Sequence, residues 1–279
     1  MTRVLLHAGF HKTATKSVQD FLTRNGRLIY PRAAIVLPAR IRDITRTGFW
    51  VQDLPGPAML ARLRDEYRAF LGTLNLAAAK GNPGRDLIIS AENIAGRLPA
   101  GDDADGPYPA AADLIGALLD ALATLPAPVE VTVYLSLRAQ DDWARSLYAH
   151  TALKRHGVRV TEDQPGFAAR LGRVKLADRA AAIAAALPGC RVLIRDIADL
   201  ADAPFGVAQP FVDFLRLPDA DLARLERPLH LHRSADPALV DRMVALNRSD
   251  LDAAGLAAAK QGLMDGSGMA GTDMRGKPR

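Results

Sequence analysis

The chain has 279 residues, 49% of them hydrophobic and 24% charged, so it can bury a substantial core and is not disordered as a whole. Its formal net charge of +5 is a modest basic excess that suits an anionic ligand. It is too diffuse to argue for a nucleic-acid partner, because aromatic residues make up only 5% and no basic run is interleaved with them. The single cysteine, Cys190, rules out an intrachain disulfide and points to a reducing, cytoplasmic compartment, and its CRVLI context reads as a structural thiol. No 18-residue apolar run offers a membrane span. The oligomeric state stays open.

Val4-Leu5-Leu6 reads as a short apolar strand, Gly9 opens a turn, and a helix begins near Thr15 with Val18, Phe21 and Leu22 at helical spacing. A strand, a glycine turn and a helix N-terminus make an anion site: unpaired N–H groups of the first turn point into the turn and the helix dipole adds positive charge. Lys12, Thr13, Thr15, Lys16 and Ser17 add donors. A Walker A loop counted from Gly9 needs glycine at 14 and lysine at 15, where this chain has Ala14 and Thr15. The loop lysine is Lys12, inside the turn. Ala14 is strained if its position requires a left-handed turn, and harmless if it already belongs to the helical N-cap region.

Asn25 and Gly26 offer a helix stop, and residues 29–38 read as an irregular connection. Residues 40–56, with Arg40, Arg42, Arg46 and Trp50, have no clear period and read equally as a substrate-side loop or an ordinary surface excursion. Apolar spacing from Pro57 to about Lys80 predicts a long amphipathic helix, and Asp86–Ser90, after a Gly-Asn-Pro-Gly turn, a buried strand. The carboxyl end of that strand delivers Glu92, placed either for catalysis or simply as an acid in a first helical turn. Residues 101–109 read as a mobile acidic loop, 110–125 as a helix and Val129–Leu137 as a central strand. Arg138 ends that strand, and Ser146 follows two turns into the next helix. An Arg and a Ser so placed fit a phosphate, although Asp141 or Asp142 would also account for the arginine.

Residues 150–166 are irregular and basic in their first half, where Lys154, Arg155, His156 and Arg159 either meet an anionic acceptor or form a solvated helix end. A helix over 174–187, a fourth strand over 190–196 and a helix over 207–215 complete a βαβ alternation. His230 and His232 lack a third ligand in sequence reach, so no metal site is assigned. One or two helices fill 237–260, and a loose basic tail follows over 261–279.

The opening LHAGFHKTATKSVQDFL resembles the 5′-phosphosulfate loop of sulfotransferases that use 3′-phosphoadenosine-5′-phosphosulfate (PAPS), in particular bacterial and heparan-type members, usually written GxxKTGTTxLQ. Ala14 stands where these usually have Gly, and Lys16 where they usually have Thr. ISAENI is similar to their strand-end Ser-x-Glu, and the order of Arg138 and Ser146 to their 3′-phosphate motif. The resemblance implies a single three-layer α/β domain over residues 1–260, P-loop-like, with a central, mostly parallel sheet flanked by helices. It implies PAPS as cofactor, held by Gly9, Lys12, Thr13, Ala14, Thr15, Lys16, Ser17, Arg138 and Ser146, with no metal. Sulfuryl transfer would use Lys12 for charge and Glu92 as base, with His11 in reserve. The acceptor it implies is a hydroxyl or amine of an unidentified carbohydrate, lipid head group or small metabolite. The alternatives are a P-loop nucleotide kinase or NTPase, and a nucleotide-binding relative without catalysis.

Overall fold

Three apolar runs, Val4–Leu6, Leu87–Ile89 and Val133–Leu135, are almost wholly shielded from solvent, as strands covered on both faces of a parallel sheet must be. The computed structural model describes residues 1–76, 84–99, 105–154, 156, 159–229 and 235–266. In chain order its elements are β1 (Thr2–His7), α1 (Thr15–Arg24), α2 (Gly26–Ile29), β2 (Ala33–Val36), α3 (Arg42–Asp53), α4 (Pro57–Gly72), β3 (Asp86–Ser90), α5 (Ala111–Leu122), β4 (Val129–Leu137), α6 (Gln140–Leu153), α7 (Gln164–Leu171), α8 (Leu176–Ala186), β5 (Arg191–Asp196), α9 (Gln209–Leu215), α10 (Asp219–Leu222), α11 (Pro237–Asn247) and α12 (Ala253–Gly266). Contacts group them into two units. One holds all five strands with α1–α5 and α8–α10, and the other holds α6, α7, α11 and α12.

In the first unit the strands form one parallel sheet in the order β2-β3-β1-β4-β5, flanked by helices, so the expected three-layer α/β fold is present. Leu5, Ile88, Ile35 and Tyr134 share a core cluster with Val18, Phe21 and Leu22 of α1 and Phe211, Val212 and Leu215 of α9. Strand residues of the other parity, such as Leu6, Ile89 and Val133, turn the opposite way; α8 contacts β4, α5 contacts α8, and neither helix joins the first cluster. β1 is central, and the chain leaves it toward β2 on one side while β4 leads to β5 on the other. Connections that part in this way open a crevice beyond the carboxyl ends of the strands, where ligands of such sheets bind. Arg3 ties the opposite end together: its main-chain N–H and its guanidinium both donate to Asp86, and Nη1 donates to the Phe214 carbonyl at 3.0 Å.

Three elements, β2, α3 and α4, differ from expectation. The strand β2 is a four-residue segment, Ala33–Val36, between Pro31 and Pro38, too short for a readable alternation, yet it pairs with β3 from Ala33↔Asp86 to Val36↔Ile89. α3 lies within the stretch that lacked a period because its buried face is Thr45, Thr47, Gly48 and Val51, small and mostly polar, so no apolar stripe marks it. α4 ends at Gly72, short of the expected Lys80, and residues 77–83 fall outside the described residues.

The second unit is helical. α6 packs on α7 and α11, and α11 on α12, around Trp143, Leu147, Phe167, Leu239 and Met243. Lys260 of α12 is 1% exposed and donates to the carbonyls of Ala152 (2.8 Å) and Lys154 (2.6 Å), supplying donors that the C-terminal turn of α6 lacks. Burial, and then the nearby Arg159, lowers its pKa to about 8. Arg159 donates to the carbonyls of Ser249 and Leu251, so this member of the basic stretch has a role within the unit. α12 continues to Gly266, into the expected tail. No described helix is long and apolar enough to cross a membrane.

Candidate functional site

Beyond His7 the chain runs through buried Ala8, Gly9 and Phe10 and turns into α1 over residues 11–14. Gly9 is required for space: a Cβ there would lie 2.4 Å from His7 Nε2 and 2.6 Å from Ser136 Oγ. Lys12 (φ 68°) and Ala14 (φ 66°, ψ 15°) are left-handed, and Thr13 between them is not. Such alternation turns successive N–H groups toward one concavity, a nest that binds anions. Ala14 is the N-cap of α1 and provides no side-chain cap, whereas Asp163 and Asp236 cap α7 and α11 through their carboxylates. The N–H groups of Thr13, Ala14 and Thr15 find no acceptor among the described residues, and the buried Thr15 Oγ1 has no partner there either. The first turn of α1 holds no acid, and Lys16 stands exposed in it. Backbone donors converge on the uncapped N-terminus of α1, whose dipole adds positive charge, an arrangement suited to an anion.

The left-handed Ala14 answers the question its sequence position posed. An alanine there costs about 1 kcal/mol relative to glycine. Ala14→Gly is therefore expected to raise the melting temperature by about 2 °C in differential scanning calorimetry. A lower melting temperature would show that the loop is not strained at this position.

Under the loop lies a chain of buried polar groups. The register sets His7 beside Ser90 of β3 and Tyr134 of β4, with Ser136 two residues further along the same face. Thr13 Oγ1 donates to the Phe10 carbonyl (2.6 Å) and lies 2.7 Å from Ser136 Oγ; His7 Nε2 is 3.3 Å from Ser136 Oγ, and Nδ1 is 2.9 Å from Ser90 Oγ. Proton counting fixes the direction. The carbonyl only accepts, so the Thr13 proton goes to it, Ser136 donates to Thr13, His7 Nε2–H donates to Ser136, and Ser90 donates to Nδ1. This requires neutral His7, and burial lowers its pKa to about 3. Its ring stacks on Tyr134 at 4.9 Å and meets Phe211 edge-on at 5.2 Å.

Three further groups surround the turn. His11 Nε2 is 3.0 Å from Asn93 Oδ1 and Nδ1 is 3.0 Å from the Tyr108 hydroxyl, which also accepts from the His11 main-chain N–H at 2.8 Å. Tyr108 is 1% exposed, and burial holds its pKa well above the usual phenol value. Glu92 begins the short turn after β3; Gln19 Nε2 of α1 donates both to its Oε2 (3.1 Å) and to the Ser90 carbonyl (3.2 Å), leaving Oε1 without a hydrogen bond among the described residues. Arg138, half-buried just past β4, brings Nη1 to 3.5 Å from the Lys12 carbonyl.

No protein-family model and no curated protein matches the chain.

Of the residues singled out in the sequence, Gly9, His11, Lys12, Thr13, Ala14, Thr15, Lys16, Ser17, Glu92 and Arg138 all lie in the first unit at the carboxyl ends of β1, β3 and β4. Ser146 belongs to the second unit, half-buried on α6. His230 and His232 lie outside the described residues, and no group of three or more potential metal ligands occurs among the described ones. Cys190 is half-buried, with its thiol pKa raised by burial, in keeping with a structural thiol. Sequence reasoning missed His7, Gln19, Asn93, Tyr108 and Ser136. His7 carried one usable signal: alternation from Leu5 places it on the covered face of β1, where a polar side chain needs partners. Tyr108 carried none, since it sits in a turn-rich stretch.

Proposed function

We propose that the chain is a PAPS-dependent sulfotransferase that moves a sulfuryl group to a hydroxyl or amine acceptor. The observation that carries this reading is the pairing of two cationic groups on adjacent strand ends: Lys12 inside the nest after β1, and Arg138 after β4 with its guanidinium against the Lys12 carbonyl. A 3′,5′-bisphosphorylated nucleotide needs two such phosphate sites, and a triphosphate aligned along one loop does not. The orphaned Thr15 hydroxyl and the uncapped α1 N-terminus fit the 5′-phosphosulfate, with Ser17 in the same first turn. Bound there, PAPS would supply the sulfuryl group.

The chain's own groups then divide the work. Lys12 and the nest amides meet the negative charge that develops on the phosphate oxygen as its bond to sulfur breaks. Glu92, held through Oε2 by Gln19, offers Oε1 to take the proton that the acceptor oxygen or nitrogen loses as its bond to sulfur forms. His11 is less suited to be the base, since both ring nitrogens are engaged, by Asn93 and Tyr108. Thermal shift tests the reading: 3′-phosphoadenosine-5′-phosphate is expected to raise the melting temperature by several degrees, as a ligand at a hundredfold excess over its Kd adds about 2.7 kcal/mol. Stabilisation by ATP with Mg²⁺ and not by the bisphosphate would favour the kinase or NTPase alternative.

A further inference from the structure

The buried chain under the loop points to a role for a residue that touches no ligand. The main chain at Gly9 passes so close over the His7–Ser136 contact that a single added carbon would collide with both side chains. From that contact the chain continues to Thr13, which lies between the two left-handed residues and holds the Phe10 carbonyl. Thr13 has no conformational preference that would enforce left-handed neighbours. What fixes it is its hydroxyl, which must donate to Phe10 and accept from Ser136 at once.

Ser136 can donate to Thr13 only if His7 donates to Ser136, and His7 can do so while neutral only as the Nε2–H tautomer. On that tautomer Nδ1 is bare and accepts the proton of the Ser90 hydroxyl, which completes the chain from the other side. We propose that His7 is a positioning residue: by passing one hydrogen-bond direction from β3 through β4 into the loop, it holds Lys12 and Ala14 left-handed and so sets the loop's affinity for its anion. This rests on reading the loop as an anion site, and not on the identity of the nucleotide or on sulfuryl transfer.

Two measurements test it. Long-range ¹H–¹⁵N spectra of the full chain are expected to show His7 neutral with the proton on Nε2; a proton on Nδ1 would overturn the proposal. Thr13→Val keeps the shape and removes the hydroxyl. By titration calorimetry it is expected to bind both 3′-phosphoadenosine-5′-phosphate and inorganic pyrophosphate about tenfold more weakly than the parent, well below its melting temperature. Ser136→Ala should weaken both similarly, and the double variant no more than either single one, because one chain is broken once. Parent-like affinity in Thr13→Val, or additive losses in the double variant, would overturn it. If the parent binds pyrophosphate and not the bisphosphate, the nucleotide assignment fails while the positioning role is still decided. If it binds neither, both fall.

Discussion

Lys12→Met is expected to lower conversion of PAPS to 3′-phosphoadenosine-5′-phosphate by about two to three orders of magnitude, the range found when one preorganised charge-stabilising group is removed. The melting temperature should move little, because Lys12 is half-buried in a surface turn and takes no part in the core. Methionine keeps the length of the side chain, so a loss reports the charge. The contrast with Arg138→Ala is informative: Arg138 faces the loop from the end of β4 and is assigned to the second phosphate, so its loss should weaken nucleotide binding more than turnover of bound nucleotide. The assay follows nucleotide product by chromatography while metabolite extract serves as acceptor, and mass spectrometry of the extract identifies what gained a sulfuryl group. Full turnover by Lys12→Met would remove the lysine from the mechanism.

Acid should unfold this protein in a way traceable to one imidazole. In the unfolded chain His7 takes up a proton near the ordinary value of 6.5, whereas in the fold burial delays this to about pH 3. Between those values the unfolded state binds more protons, so stability present above pH 6.5 is lost as the pH falls toward 3, by about 1.4 kcal/mol per pH unit. Urea unfolding at a series of pH values reads this slope. His7→Gln retains one donor and one acceptor for Ser136 and Ser90 and does not titrate, so its curve is expected to be flatter by that amount between about pH 6 and pH 4. Parallel curves for parent and variant would show that His7 is not buried in its neutral form.

The sheet was legible where burial on both faces left an apolar run, as in Val4–Leu6, Asp86–Ser90 and Val129–Leu137. β2 and α3 escaped for local reasons, one being too short to show a period and the other burying threonines and a glycine where a stripe was sought. The loop was legible as chemistry, since its donors are contiguous, but its geometry was not: alanine and lysine announce nothing about a left-handed backbone. What surrounds the loop was invisible for a third reason. Gln19 with Glu92, His11 with Tyr108 and His7 with Ser136 are joined across 73, 97 and 129 residues, and no spacing rule connects positions so far apart.

Those separations also govern the order in which the molecule can be made. β1 precedes its neighbours β3 and β4 in the chain, and the segment carrying β2, with the helices around it, must be laid down between β1 and either of them. Closing such long connections delays pairing, and a parallel sheet rewards the chain only once each crossover is complete. The Gly9 turn therefore cannot acquire its shape early from its own residues. Until β4 has docked and brought Ser136 under Thr13, β1 lacks one of its two neighbours and the Thr13 hydroxyl lacks its buried donor. The loop precedes both neighbouring strands in the chain, yet its shape is complete only when the later of them has docked.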